Sequence, residues 1–391
     1  MAEDSKGQRF RPVSVVVRAA AVLRTCWLIL GMTLLLGLLL EGLYRAQGAL
    51  RGAGRTVPAH PEAGEAWWDQ WVVTGGVVNG PSRYDPYRGW WPSEFTTRYM
   101  QVDRAGRRRT VPPPDPGPVQ LRVLFLGGSV MWGYTTPDSL TIPSLVARRL
   151  RALGYPRVEL SNMAQPAYNT TQGLITLLLE LRGGARPDVV ISLDGNNDAL
   201  AALREGHAGA ALGEGDLARR SAVGWRGLGA NLLGLSRYSA LVRRLVAFYQ
   251  EGRVGGTAGS EGRSCDDIAQ QYVRLVAAGE TLGRGLGFAP VFLWQPHWAT
   301  TGKPLSAWER SIRAEPGFVA LLRRCTVVVD SLKAERPDSA YVSLTHMFDS
   351  DSGTIFLDEF GHMTPQGNER VAGRVAEMLV AKLRSQAGLP R

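Results

Sequence analysis

The first strong feature along the chain is an uncharged apolar run, Thr25 to Leu40, with no polar face. At about 1.5 Å of rise per residue it spans roughly 24 Å, slightly short of a ~30 Å hydrocarbon core. Ala19–Leu23 and Leu43–Tyr44 lengthen it if Arg24 and Glu41 reach back to the interfaces. The pattern predicts one transmembrane helix over 25–44, with Trp27 and Tyr44 near its ends. A soluble core helix would rarely lack a polar stripe over so many turns.

From Leu121 onward the pattern changes to short apolar runs alternating with helical periodicity. The runs at 123–127, 158–164, 188–195, 289–296 and 339–345 read as strands. Between and after them, 138–153, 171–181, 317–335 and 365–385 carry apolar residues at helical spacing, with Asp138 or Ser139 as N-cap candidates for the first. Strands that are apolar almost throughout belong to a parallel sheet covered on both faces, so the fold class is α/β. Residues 199–264 interrupt the alternation with a Leu- and Arg-rich stretch and a Gly-rich loop, and are expected to form an insert or cap. There is no internal repeat.

Residues 45–120 are rich in Trp, Pro, Gly and Arg, and are expected to pack on the main domain as an accessory segment through their Trp and Tyr side chains; a sugar-stacking platform is the alternative. The Pro run at 112–118 reads as a stiff connector. The basic run Arg104–Arg109 reads as a solvated loop. The domain division is therefore 1–24, a basic segment; 25–44, the membrane helix; 45–120, the accessory segment; and 121–391, the α/β domain containing the 199–264 insert.

Composition narrows the class. With 45% apolar and 20% charged residues among 391, a sizeable core can form and global disorder is excluded. Three Cys exclude a disulfide-dense scaffold. The net charge is +10, and the first 24 residues hold Lys6, Arg9, Arg11, Arg18 and Arg24 against Glu3 and Asp4. That bias predicts a single-pass membrane protein with a cytoplasmic N-terminus and an extracytoplasmic main domain. Cleavage after a small-residue stretch, Ala46-Gln47-Gly48, is the alternative. Export makes nucleic acid an unfitting partner; anionic headgroups or acidic glycans suit a basic surface better.

Open α/β sheets bind ligands beyond the carboxyl ends of their strands, and three such ends carry chemistry. The first ends in Gly-Gly-Ser129, which would expose a hydroxyl on a turn into a helix. No phosphate-loop pattern is present there. The third ends in Asp194-Gly-Asn-Asn197-Asp198, where amides could donate to a developing oxyanion or simply cap a turn. Near the C-terminus, Asp358 and Glu359 precede His362, and Thr364-Pro365 opens the last helix. A carboxylate orienting a His that deprotonates a Ser is the logic of a triad.

In this order, GGSVMWG, SNMAQPAYNTTQ, DGNND and FLDEFGHMTPQGN resemble the SGNH (GDSL-type) hydrolase family over roughly residues 121–385. Thr141-Ile-Pro-Ser144 and YDPYRGWW, ahead of the domain, resemble segments of an exported, membrane-anchored bacterial subgroup. The resemblance implies a three-layer α/β/α, flavodoxin-like domain with a parallel sheet. It implies Ser129 as nucleophile, His362 as base and Asp358 as acid, with Glu359 as the alternative acid because the family usually places its acid three residues before the His. It implies an oxyanion hole from the N–H groups of Ser129 and Ala167 and the Asn197 amide; the family usually has Gly at position 167, so a positive φ there would penalise Ala. Gly128 replaces the Asp of the name-giving motif.

The implied reaction is a two-step acyl transfer on esters, deacylating or transacylating O-acylated glycans. The rival is a catalytically silent SGNH fold serving as a scaffold for polysaccharide assembly, and a third option is a lipase-like enzyme using the insert against the bilayer. Asp194 and His297 are weaker candidates to line the substrate site. No cofactor is implied, and no His/Cys/carboxylate cluster has zinc spacing, so no metal is expected. His207 and His346 read as ordinary histidines and His60 lies in the linker. Cys265 and Cys325 are the two exported cysteines, able to pair as a disulfide or stay as buried thiols. Asn169-Thr-Thr171 is a formal glycosylation sequon.

Overall fold

A computed structural model describes residues 13–52, 58–68, 81–221, 239 and 261–386. They divide into two compact units. One contains helix α1 (Val13–Gly52), whose stretch Val17–Gln47 is long and apolar enough to cross a membrane. Leu28, Ile29, Leu35 and Leu38 all face outward. An apolar surface on every side suits lipid rather than a soluble core. The helix is longer than the predicted 25–44 at both ends.

The second unit, residues 57–218 and 257–391, is built on a five-stranded parallel sheet. Its strands are β5 (Leu121–Gly127), β6 (Val158–Asn162), β7 (Val189–Asp194), β8 (Ala289–Trp294) and β9 (Tyr341–Ser343), in the order β6-β5-β7-β8-β9. Counting only these five, the order is 2-1-3-4-5, that of doubly wound flavodoxin-like sheets, as expected. Two small antiparallel pairs precede it: β1 (Ser82–Asp85) with β2 (Gly89–Pro92), and β3 (Phe95–Thr96) with β4 (Gln101–Val102).

Alternation along the strands builds two cores. Val123, Phe125, Ile191 and Leu193 point to one face, and Leu124, Leu126, Val190 and Phe292 to the other. The first face is covered by α3 (Ile142–Ala152) and α10 (Pro365–Gln386), through Leu145, Val146, Val371 and Val375. The second is covered by α4 (Thr170–Arg182), α5 (Asn196–Glu205), α7 (Glu261–Leu286) and α9 (Pro316–Glu335). The short helices α2 (Ser129–Trp132), α6 (Glu214–Ser221) and α8 (Ala307–Ser311) complete the set used below.

Three expectations need correction. Helix α3 starts at Ile142, not near 138: Thr141 accepts from the Ser144 N–H and Pro143 occupies the first turn. Asp138 is engaged elsewhere, by Arg108 and the Gln101 N–H. The expected 199–264 insert is partly regular chain. Residues 199–205 finish α5, and 261–264 begin α7, which continues beyond the expected insert as a long helix with Ile268, Ala269, Tyr272 and Val276 on one buried stripe. Most of the Leu/Arg-rich stretch and its Gly-rich loop lie outside the described residues. Finally, Arg108 is not solvated. It is almost wholly buried, and its backbone N–H donates to Asn162 O at 3.0 Å.

Candidate active site

Strand β5 leaves the sheet at Gly127, where φ is +128° and a Cβ would come within 2.4 Å of Leu193 O. Only Gly tolerates both conditions. Ser129 then opens α2. Gly128 is small for a different reason: a Cβ there would sit 2.4 Å from Asn197 Nδ2 and 3.2 Å from Tyr168 O. The Asp of the family motif would collide with the Asn197 amide in this arrangement.

Residues 356–363 form a tight loop closed by the Leu357 N–H donating to His362 O at 2.8 Å. Within it, Asp358 Oδ1 accepts the backbone N–H of Phe360 at 3.0 Å and of His362 at 3.3 Å. Its Oδ2 lies 2.5 Å from His362 Nδ1, and His362 Nε2 lies 2.7 Å from Ser129 Oγ. With Nδ1–H given to the carboxylate, Nε2 is left to accept the Ser129 hydroxyl proton. Burial alone would raise the Asp358 carboxyl, but the adjoining His362 charge and the hydrogen bonds from ring and backbone outweigh it. They hold it below its ordinary value. Burial and the neighbouring Asp358 charge push Glu359 the other way. Serine, imidazole and carboxylate thus form one hydrogen-bonded chain, able to pass a proton from Oγ to Nε2 as the oxygen attacks an acyl carbon.

The two amide-bearing loops close on the same crevice. Asn197 Nδ2 donates to Tyr168 O at 2.8 Å and lies against Gly128; its second N–H has no role in that bond. Ala167, just before Tyr168, has φ +66°, the left-handed value that penalises a side chain. Beneath them, Asp198 accepts the Gly195 N–H at 3.1 Å and the Thr170 N–H at 3.3 Å, tying the start of α4 to the start of α5. Asp194 accepts a hydrogen bond from the Ser192 hydroxyl, and burial together with the Asp198 charge raises its carboxyl strongly.

Asp194 and His297 do not line a substrate site. Both side chains are buried. His297 Nε2 donates to Glu359 O at 2.9 Å while Nδ1 accepts the Ala299 N–H at 3.1 Å, which requires the neutral ring. Burial lowers its pKa to about 4. With Asn196 Nδ2 and Gln295 Nε2, which donate to Phe360 O at 3.1 and 3.4 Å, it braces the Asp358–His362 loop from the ends of β7 and β8. Asn169 is also committed, capping α4 through the Gln172 N–H at 3.1 Å, so its sequon is buried.

Other supports carried no sequence signal. Lys303 and Glu309 form a fully buried ion pair at 2.6 Å, and Glu309 also accepts the Ile355 and Phe356 N–H groups at 3.0 and 3.1 Å. Its neighbour Trp308 donates to Leu357 O at 3.0 Å. Helix α8 thus holds the chain just before Asp358. His60 stacks on Trp68 at 3.7 Å and meets the edge of Trp308 at 4.9 Å, so this linker residue is packed. Nearby Glu62 is pushed up to about 8 by burial and by the charges of Glu65 and Asp358. His207 and His346 are exposed, beside Glu214 and Asp349. Among the described residues, no group of three or more His, Cys, Asp and Glu is placed to hold a metal.

No family model and no curated protein matches the chain. Solved structures similar to it include an acetyl xylan esterase at 13% identity, covering 66% of this chain and 99% of that one, with a TM-score of 0.39. An acetylxylan esterase from Geobacillus stearothermophilus has 12% identity, 65% and 92% coverage and a TM-score of 0.37. A member of the lipolytic protein G-D-S-L family from Veillonella parvula has 11%, 66%, 96% and 0.35.

Proposed function

We propose that the protein is a serine hydrolase of the SGNH type, acting on esters through a Ser129–His362–Asp358 triad. One observation carries this reading: Ser129 Oγ, both ring nitrogens of His362 and Asp358 Oδ2 stand in a continuous hydrogen-bonded line of 2.7 and 2.5 Å. Ser129 Oγ attacks the ester carbonyl carbon while His362 Nε2 takes its proton. The C–O bond to the leaving alcohol breaks as the imidazolium returns that proton to it. Asp358 keeps the ring in the required tautomer and faces its transient positive charge. The oxyanion receives the N–H groups of Ser129 and Ala167 and the free amide N–H of Asn197. Losing one such donor costs about 3 kcal/mol in the barrier. Water, or a sugar hydroxyl, then attacks the acyl-enzyme by the same proton route.

The substrate class we favour, O-acylated glycans on the outer face of a membrane, comes from the family resemblance together with the apolar α1 and its basic N-terminal flank. In that topology the helix anchors the protein and the hydrolase unit lies outside the cytoplasm. The silent-scaffold reading draws on Ala167 at φ +66° and on an acid four residues before the His, but the aligned Ser129–His362–Asp358 line weighs against it.

A fluorophosphonate probe tests the proposal. The wild type should be labelled at Ser129 and hydrolyse p-nitrophenyl acetate, and Ser129→Ala should do neither. Folded wild-type protein that takes no label overturns the hydrolase reading.

A further inference from the structure

Arg108 belongs to the accessory segment, yet its guanidinium lies in the main domain beside the nucleophile helix. Nε donates to Asp138 Oδ1 at 3.0 Å and one terminal nitrogen to Trp132 O at 3.0 Å. The terminal nitrogens also donate to Gly133 O and Thr136 O. The guanidinium stacks 4.5 Å from the Trp132 ring. Three carbonyls, one from the end of α2 and two from the turn after it, thus converge on one buried cation, a geometry that only a planar fork of donors can serve. From the other side, Asn162 Nδ2 donates to Met131 O at 3.3 Å.

The turn so held is unusual. Thr135 has φ +62°, a left-handed conformation that a β-branched side chain rarely adopts. Its consequence is the placement of Tyr134: the Tyr134 N–H donates to Ser129 O at 2.9 Å, and the ring stacks on His362 with centroids 4.6 Å apart and planes 25° apart. Strained backbone persists where the surroundings over-determine it, and it gathers at functional sites. Here the over-determining group is Arg108, and the beneficiary is the imidazole.

We propose that Arg108 is a positioning residue: by holding the turn 133–136 it lays Tyr134 on the His362 ring and keeps Nε2 in register with Ser129 Oγ. This rests on the hydrolase reading above. It makes the accessory segment an integral part of the catalytic centre, because an α/β domain without residues 95–111 would lack the guanidinium that shapes it.

The experiment is a double-mutant cycle on the full chain, with p-nitrophenyl acetate turnover normalised to sites titrated by fluorophosphonate, and thermal unfolding recorded in parallel. Arg108→Ala and Tyr134→Ala should each lower kcat by about 10- to 100-fold with KM within about twofold, the signature of misplacement rather than lost binding. The double variant should be little worse than Arg108→Ala, since both act through one contact. Tyr134→Phe keeps the ring and should retain more kcat than Tyr134→Ala. Arg108→Lys keeps the charge but not the fork, and should fall with Arg108→Ala; it replaces that variant if the alanine form does not fold. Wild-type kcat in folded Tyr134→Ala, or in either folded Arg108 variant, overturns the proposal, as do effects that multiply in the double variant. A wild type that takes no label overturns the hydrolase reading itself, and this proposal with it.

Discussion

Asp358 faces His362 through both its carboxylate oxygens, Oδ2 to the ring Nδ1 at 2.5 Å and Oδ1 to the backbone N–H at 3.3 Å. Glu359, the next residue, meets His297 through its carbonyl. Two candidate acids in sequence have therefore been separated by one loop. Asp358→Asn presents the wrong partner to Nδ1–H, and kcat should fall by up to about 10⁴-fold, the loss expected when the imidazole tautomer is lost. Glu359→Gln should leave kcat within a few-fold. Comparable losses in both variants, measured per folded protein, would sink the assignment of the acid.

The ambiguity between the two acids shows what the sequence could and could not carry. Spacing favours three residues before the His, but here Gly361 takes φ +77° and the Phe360 N–H returns to Asp358 Oδ1. That extra turn swings the residue four back onto the ring. The strands were legible because a buried parallel sheet writes itself as apolar runs, and the crevice because its groups sit at the ends of those runs. Arg108 was not. A cation inside an Arg run reads as solvated, and its partners, Asp138 and three backbone carbonyls, lie at least 24 positions away. The Lys303–Glu309 pair is buried by packing alone and has no local signature. Helix α7 was readable from its own stripe but was hidden by the Gly-rich sequence ahead of it.

Ala167 invites a stability test. At φ +66° it pays about 1–2 kcal/mol that Gly would not, partly offset by the greater freedom of Gly in the unfolded chain. Ala167→Gly should therefore keep turnover within about twofold and be neutral to about 1 kcal/mol more stable in denaturant titrations. Ala167→Val, β-branched in the same conformation, should lose both stability and turnover. Strong destabilisation by Gly would mean that the loop is not held in the left-handed region.

The cysteines give a redox test. Cys265 on α7 and Cys325 on α9 are free and buried, on two helices packed against each other. Treatment of the purified protein with oxidised glutathione should join them, the two thiols giving up two electrons and two protons as the glutathione disulfide is reduced. Closing a loop of about 60 residues adds about 4 kcal/mol in the chain-entropy model, so reductant should lower the unfolding temperature of the oxidised form. Peptide mapping that recovers both thiols unmodified after oxidant treatment would rule the pairing out.

His297 makes a pH prediction with a definite sign. Its folded-state pKa, about 4, lies below the ordinary 6.5 because the ring is buried, with its Nε2–H and its Nδ1 lone pair both committed. Between those two values the unfolded chain binds a proton that the folded chain refuses. The contribution is therefore fully present above pH 6.5 and is lost as pH falls toward 4, a total of roughly 3 kcal/mol. Other groups titrate in the same window, so the comparison must be with a variant that does not titrate there. Glutamine at 297 retains a donor for Glu359 O, and His297→Gln should start less stable than wild type at pH 7.5. The gap should narrow, and can reverse, by pH 4.5. Urea unfolding at both pH values measures it. Curves that stay parallel would mean that His297 ionises as freely in the folded chain as in the unfolded one, and that it is not the neutral brace of the Asp358–His362 loop.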